Sequence, residues 1–319
     1  MQKEGSSMQK AVRFVDAHLP WFVLAVVALG LVFPGAFTSY HALLSLFMAL
    51  MTFASTLGSS FRDLAGVFRR PVPVLATLGI LHVAMPGMTL VLGNLLFPEE
   101  PLFTTGLVLE YAIPTAVASL MWVGICHGDM PFAISIVLLD TLLSPVVIPA
   151  TLKLLLDSVV ELDSFGMLKD LLMMVAIPSV LAMGLQQLKP ELSKTLKPRL
   201  TPVSRLAMFL LIAANAADCA PFLHDLDVTL VKVMVVVFLL CLGGFLAGYW
   251  AAKALGLAYP ARLTMCFCCG MRNISAGAVL TSQYFPPEVL FPVAFSPLFL
   301  QLTTSVVAKI LQKIPSAPK

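Results

Sequence analysis

Ten apolar segments follow one another along the chain, and this succession constrains the fold more than any other feature of the sequence. A bilayer core about 30 Å thick is crossed by about 20 residues of α-helix, whose backbone polar groups bond to one another within the lipid. The 319 residues leave room for these segments and for short connections. We place the segments at 19–33, 40–57, 72–96, 102–126, 130–156, 167–188, 203–217, 228–255, 259–284 and 289–311. The sequence therefore predicts an all-α integral membrane protein with ten transmembrane helices.

The composition agrees with this prediction and limits the kinds of partner that the protein can have. Hydrophobic residues make up 59% of the chain and charged residues 12%, whereas a soluble domain carries about 25% charged residues. The lipid bilayer is the expected environment, and we expect no nucleic-acid partner. The six cysteines have no spacing suited to zinc and are interpreted as small buried hydrophobic residues. We expect no cofactor.

The basic residues indicate an orientation in the membrane. If the N-terminus is cytoplasmic, only Lys153, Lys169 and Lys232 fall in outside segments, and Arg272 lies within the membrane. The other lysines and arginines lie in inside segments, as the positive-inside rule requires. We therefore expect residues 1–18 to form a cytoplasmic N-terminal segment. Both termini are expected on the cytoplasmic side of the cell membrane, the inner membrane in a bacterium.

The ten predicted spans divide into two halves of five. Because each half has an odd number of spans, the two halves have opposite orientations in the membrane. We predict one inverted repeat at 19–156 and the other at 167–311. Transporters built this way have interrupted helices at matching positions of the two halves. The fourth span is interrupted at 112–116 and the ninth, fourth in its own half, at 270–273. We interpret these interruptions as the two sides of one site.

Arg272 places a permanent charge at the depth of the ninth span. A charge there is costly, and it usually pairs or marks a pathway or a binding site. The second half of the span begins near Asn273, so its amide end and the guanidinium both favour an anion. Glu110 and Asp140 are the only acids that we place within the membrane, and either is a possible ion-pair partner of Arg272.

These features resemble the bile acid:sodium symporter superfamily, and in particular bacterial ten-span homologues of the apical sodium-dependent bile acid transporter. The resemblance covers nearly the whole chain and is most specific at 106–149, with the break at Pro114, and at 270–296. It implies a panel domain of spans 1, 2, 6 and 7 and a core domain of spans 3–5 and 8–10, in which broken helices 4 and 9 cross. It also implies transport of small organic anions by alternating access, usually coupled to two sodium ions.

The sodium ligands that the resemblance implies are largely missing. The first-site positions of the family read Ser119, Leu120, Ala133, Val137 and Cys268 in this chain. The second-site positions read Leu81, next to His82, and Arg272. A hard cation prefers oxygen ligands, so both sites are expected to be degenerate. We predict that Arg272 acts as a tethered cation in the second site and that transport does not depend on sodium.

The two breaks and the resemblance together give the residues of a substrate and crossover site, of which the resemblance supplies Thr115, Ser119, Asn273, Ser275 and Gln301. The full set is Pro114, Thr115, Ser119, Gly270, Arg272, Asn273, Ser275 and Gln301. We expect a carboxylate, bile-acid-like or similar to pantoate or a keto acid, and leave the oligomeric state open. Two alternatives remain: a proton-coupled carrier that uses His82, Glu110 or Asp140, and a membrane sensor that does not transport. An enzyme is not expected, because no catalytic constellation is present in the sequence.

Overall fold

A computed structural model describes residues 14–15, 18–37, 43–156, 163–224 and 227–313. This part of the chain is helical and has no β-strand, which confirms the all-α class that the sequence predicts. Its helices are α1 Leu19–Val32, α2 Pro34–Phe37, α3 Leu44–Thr56, α4 Phe61–Arg69, α5 Pro71–Leu96, α6 Pro101–Ala112, α7 Ser119–Ile125, α8 Met130–Leu156, α9 Ser164–Leu188, α10 Pro190–His224, α11 Val228–Ala254, α12 Tyr259–Gly270, α13 Ile274–Tyr284 and α14 Pro287–Lys313.

Several of these helices can cross a membrane by their length and composition alone. Six qualify within the described residues, namely α5, α8, α9, α10, α11 and α14. The count rises to seven if α3 and α4, which meet at a bend of 82°, form one span. The helices α6, α7, α12 and α13 are each too short to cross, because two breaks divide the fourth and ninth apolar segments.

Two of the long helices contain a π-helical turn. The turn in α5 covers Ile80–Ala84 and precedes Pro86; the turn in α9 covers Leu172–Ala176 and precedes Pro178. Proline lacks an N–H and crowds the carbonyl four residues before it, and a π turn is one way in which a helix accommodates such a disturbance. The turn in α5 carries His82, so it helps to set the direction of that side chain.

The helix α10 is longer than its apolar segment. The sequence predicts a span at 203–217, but the helix begins at Pro190 and continues to His224. Proline suits the first turn of a helix because its missing N–H is not needed there, and Glu191 in the same turn complements the helix dipole. The prediction that 189–202 is a connecting segment was therefore wrong from Pro190 onwards.

Helices α11 and α12 pack closely through small residues. A Cβ atom on Gly248 of α11 would lie 2.3 Å from the Met265 carbonyl oxygen of α12 and 2.8 Å from Cβ of Cys269. A Cβ atom on Gly244, one turn away, would lie 2.8 Å from the Cys269 carbonyl oxygen. Small residues four positions apart let the backbones of membrane helices approach each other. This contact fixes α12 in the protein interior.

The broken helices are surrounded by the others. The side chains of α6 from Phe103 to Ala112 are buried, and so is most of α12. Helix α6 packs against α5, α8 and α14, and α12 packs against α7, α8 and α11. Helix α10 packs against α1, α3 and α9 and reaches α13 and α14. The two breaks therefore lie in the middle of the bundle.

Candidate functional site

The break between α6 and α7 and the break between α12 and α13 meet in the interior. Thr115 and Arg272 form an isolated antiparallel β-bridge. The backbone N–H of Asn273 donates to the Pro114 carbonyl oxygen at 2.8 Å. Both predicted interruptions are present, and each supplies backbone partners to the other, as buried amides and carbonyls require.

Thr115 connects three chain segments at this crossing. Its hydroxyl donates to the carbonyl oxygens of Cys268, at 2.7 Å, and Met271, at 3.1 Å. Its backbone N–H donates to Oδ2 of Asp140 at 2.6 Å. The side chain is fully buried. Thr115 therefore satisfies carbonyls at the end of α12 and attaches the crossing to α8.

Asp140 also contacts His82, which lies in the π turn of α5. Nε2 of His82 is 2.5 Å from Oδ1 of Asp140. The aspartate side chain is 0% exposed and the histidine side chain 9% exposed. Nδ1 of His82 is buried and has no hydrogen-bond partner within the described residues. The two residues lie 58 positions apart in the sequence, so their pairing is a product of the fold.

The Arg272 side chain points away from solvent and into the core. The residue is 2% exposed, and its guanidinium donates to the carbonyl oxygens of Ile113 and Leu81, each at 3.4 Å. The guanidinium carbon is 5.4 Å from the centre of the Tyr111 ring, within the range of a cation–π interaction. Nε has no partner in the described part of the chain. The charge is thus held by carbonyl dipoles and an aromatic face.

Neither of the two acids considered for Arg272 touches it. Asp140 is engaged by His82, and Glu110 accepts a hydrogen bond from the Ser296 hydroxyl. The second carboxyl oxygen of Glu110 has no hydrogen-bond partner among the described residues. No ion pair within those residues involves Arg272. Any charge interaction between Arg272 and these acids therefore acts across a gap.

The positions at which the resemblance places the first sodium site are mostly apolar. Ala133, Val137 and Cys268 are buried in one hydrophobic cluster, and Leu120 packs against it. The hydroxyl oxygen of Ser119 lies 3.9 Å from Sγ of Cys268. These five side chains supply one oxygen, and a hard cation prefers several. The side chains at these positions do not fit Na⁺.

A cavity of about 410 Å³ lies beside the crossing. It is bounded by α1, α3 and α10 on one side and by the crossing, α8, α13 and α14 on the other. Four residues of the predicted substrate and crossover set line it, namely Arg272, Asn273, Ser275 and Gln301. Thr115 and Ser119 are fully buried and are not among the lining residues. The predicted set thus separates into residues that face the cavity and residues that hold the crossing together.

The cavity residues of α10 were not predicted from the sequence. Polar residues at helical spacing on this helix line the cavity, and they are Lys197, Thr201, Ser204, Arg205 and Asn215. Most of them lie before or at the edge of the predicted span 203–217. The available signal was their recurrence every three to four residues, which indicates one face of a helix. It was obscured because 189–202 was interpreted as a connection.

Comparison with known proteins agrees with this architecture. The family model described as "Sodium Bile acid symporter family" matches residues 45–223. The chain is 34% identical over 301 residues to "Uncharacterized protein YbaS" of Bacillus subtilis (strain 168), which covers 94% of this chain and 98% of that protein. It is 26% identical over 313 residues to "Probable sodium/metabolite cotransporter BASS1, chloroplastic" of Arabidopsis thaliana, covering 96% and 75%.

A third relative is "Uncharacterized sodium-dependent transporter YocS" of Bacillus subtilis (strain 168). Identity is 22% over 308 residues, which cover 96% of this chain and 94% of that protein. The family consists of transporters, which accounts for a helical membrane protein with a cavity beside two crossing helix breaks. The chain belongs to the sodium bile acid symporter family.

Proposed function

We propose that this secondary transporter carries a small organic anion, a carboxylate, by alternating access and without sodium. The observation that carries the proposal is the position of Arg272. Its guanidinium occupies the core next to the crossing, where the resemblance places a mobile cation.

The charge of the cavity supports an anionic substrate. Lys197 and Arg205 line it, whereas no aspartate or glutamate of the described residues does. Helix α13 begins at the cavity with Asn273 as its N-cap, and a helix N-terminus attracts anions. Hydroxyl and amide groups such as Ser275 and Gln301 can donate hydrogen bonds to a carboxylate. A small carboxylate of the bile-acid, pantoate or keto-acid type therefore matches the site.

The carbonyl oxygens around Arg272 support the proposal that transport does not depend on sodium. Backbone carbonyls that could coordinate a cation, those of Leu81 and Ile113, already accept hydrogen bonds from the guanidinium. Arginine keeps its charge in proteins, so this cation does not dissociate during a transport cycle. The printed names of two relatives mention sodium. The apolar side chains at Ala133, Val137 and Leu120 are the reason to propose that this chain differs from them.

The helices can be grouped into ten spans and two repeats. Joining α6 to α7 and α12 to α13 as broken spans gives α1, α3, α5, α6–α7 and α8 in the first repeat. The second repeat is then α9, α10, α11, α12–α13 and α14. We assign α1, α3, α9 and α10 to a panel domain, which is supported by the packing of α10 on the other three. The remaining spans form the core, and rocking of the panel opens the cavity to each side in turn.

Transport by purified protein in liposomes tests the proposal. We would load liposomes with unlabelled glycocholate, pantoate or pyruvate, which are all carboxylates, and measure counterflow of the same labelled compound. The expected result is saturable accumulation of at least one probe above protein-free liposomes. Gln301→Leu in the cavity slows the counterflow, whereas Gln187→Leu, on an exposed part of α9, does not. Absence of accumulation for all three probes contradicts a carboxylate carrier of these types.

A further inference from the structure

The pair of His82 and Asp140 is an ionisable site that the substrate cavity does not use. Neither residue lines the cavity. Their side chains are 9% and 0% exposed and lie in contact at 2.5 Å. Ionisable groups within a membrane protein are costly, and they commonly mark ion pathways or proton relays. The pair therefore needs an explanation beyond substrate binding.

The hydrogen bonds of this pair leave one of its atoms able to take a proton. Oδ1 of Asp140 contacts Nε2 of His82, and Oδ2 accepts the backbone N–H of Thr115 at 2.6 Å. A neutral imidazole that donates through Nε2 carries a lone pair on Nδ1. Nδ1 is buried and has no hydrogen-bond partner among the described residues. The remaining basic position of the pair is therefore Nδ1.

We propose that Nδ1 of His82 binds one proton in each transport cycle, with Asp140 as its counter-ion, and so couples anion transport to a proton gradient. This inference rests on the proposed carrier function. The proton arrives from the outer solution, converts the imidazole to an imidazolium, and leaves to the inner solution after the protein reorients. Histidine is the side chain that ordinarily changes charge near neutral pH. Burial of Nδ1 suits a coupling group, because proton exchange then requires the protein to open.

Several other titratable or charged groups face this pair. Arg272 interacts with the Asp140 charge from the crossing, and Glu110 and Tyr111 lie near Arg272 on α6. The thiols of Cys268 and Cys269 approach Asp140 from α12, and Cys241 of α11 lies near Glu110. The permanent charge of Arg272 balances Asp140, so a proton on His82 adds one positive charge to the core. A substrate carboxylate at the N-terminus of α13 offsets that charge, which links the two binding events.

Thr115 connects the pair mechanically to the crossing. Its backbone N–H donates to Asp140, and its backbone forms the β-bridge with Arg272. Its hydroxyl donates to the Cys268 carbonyl oxygen at the end of α12. A charged His82 attracts the Asp140 carboxylate more strongly and weakens the hold of that carboxylate on the Thr115 N–H. Protonation at His82 can therefore bias the crossing between two arrangements.

Nitrogen NMR tests proton binding without a substrate. We would label histidine with ¹⁵N, place the protein in lipid nanodiscs and assign His82 by the loss of its signal in His82→Gln. The expected result is a change from the Nε2–H tautomer to the imidazolium as the pH falls from about 8 to about 5, with an altered midpoint in Asp140→Asn. If His82→Gln does not fold, the signal that shifts in Asp140→Asn identifies His82. A His82 signal in a single protonation state over this range overturns the proposal.

Transport in proteoliposomes separates failure of coupling from failure of the carrier function. The probes are labelled glycocholate, pantoate and pyruvate, with protein-free liposomes as the control for passive entry. We expect an acidic exterior to drive accumulation by the wild type, by Glu110→Gln and by the matched control His18→Gln. The variant His82→Gln is expected to exchange substrate but not to accumulate it in response to the pH gradient. Counterflow with no response to the pH gradient contradicts coupling and leaves the carrier standing. Loss of the pH response in Glu110→Gln alone assigns the proton to Glu110 and also contradicts the inference.

Discussion

At the scale of single residues, one threonine holds the crossing together. The hydroxyl of Thr115 bonds to carbonyls at the end of α12, and its N–H bonds to Asp140. The Met271 carbonyl has a second donor in the N–H of Ala116 at 3.0 Å. The bond to the Cys268 carbonyl is therefore the one whose loss leaves a buried group short of a partner, which is costly inside a membrane.

Replacing Thr115 by valine removes the hydroxyl and keeps the shape. A buried carbonyl that loses its donor costs about 1–3 kcal/mol, so we expect Thr115→Val to melt at a lower temperature in detergent than the wild type. Thr115→Ser keeps the donor and serves as the control. Equal melting temperatures of the valine and serine variants contradict the role given to the hydroxyl.

The sequence revealed the residues of the crossing but not their contacts. Pro114 and Gly270 are visible because each interrupts an apolar run, and Arg272 because a charge is rare there. The contact between His82 and Asp140 was not predicted, because it depends on a π turn in α5 and on a distance of 58 positions in the chain. Residue types indicated where chemistry is concentrated, and only the packing of helices determined which groups pair.

At the scale of helices, the close contact of α11 and α12 positions one side of the site. Gly248 lies against the backbone of α12, whereas Gly243 on another face of the same helix has only the terminal carbon of Met88 nearby, at 3.8 Å. There is therefore room for a side chain at Gly243 but not at Gly248, although both glycines lie in the middle of α11.

Alanine at these two glycines gives opposite results. Alanine favours a helix over glycine by about 0.5–1 kcal/mol, so Gly243→Ala is expected to keep or raise the melting temperature. In Gly248→Ala the new methyl group would lie 2.3 Å from the Met265 carbonyl oxygen, so we expect lower stability and weaker transport. A Gly248→Ala protein as stable as Gly243→Ala rules out the close contact.

Helix boundaries were predicted best where an apolar run ends at a clear signal. The predicted span 19–33 corresponds to α1 Leu19–Val32, and the predicted span 130–156 to α8 Met130–Leu156. The length of α10 was underestimated because hydropathy indicates contact with lipid, whereas helix formation also depends on capping and packing. That error hid the basic face of α10 that borders the cavity.

At the scale of the whole molecule, the cavity lies between two groups of helices, and one of them contributes the basic side chains of Lys197 and Arg205. Lys197 lies on α10, near Gly58 at the end of α3. A cation at this position attracts an anion before it reaches the crossing, and salt weakens such an attraction when solvent is present. We therefore expect the helix group that carries Lys197, which is the proposed panel, to contribute to substrate capture.

Neutralising Lys197 tests this contribution. Removing one charge near an anion costs about 1 kcal/mol in a partly solvated site, so we expect Lys197→Gln to raise the half-saturating substrate concentration about fivefold, with a smaller effect at high salt. Lys194→Gln is the matched control, because Lys194 is exposed and bonds to Glu191 at 2.8 Å. Equal effects of the two substitutions contradict capture by Lys197.

The proposed orientation can be tested with reporters fused after residue 319. Both termini lie in the cytoplasm if ten spans and the distribution of basic residues hold. A green fluorescent protein fusion expressed in a bacterium should therefore fluoresce, and an alkaline phosphatase fusion should be inactive. Active phosphatase at this end would require an odd number of spans or the opposite orientation.

The proposed replacement of a mobile sodium ion by Arg272 is tested most directly by the sodium dependence of transport. The direct measurement is the initial rate of substrate uptake into proteoliposomes as external sodium is replaced by choline at constant ionic strength and pH. We predict the same rate in the wild type at every sodium concentration, and a large loss of transport in Arg272→Gln, because a buried cation next to the crossing is gone. A wild-type rate that rises steeply with sodium would contradict the claim.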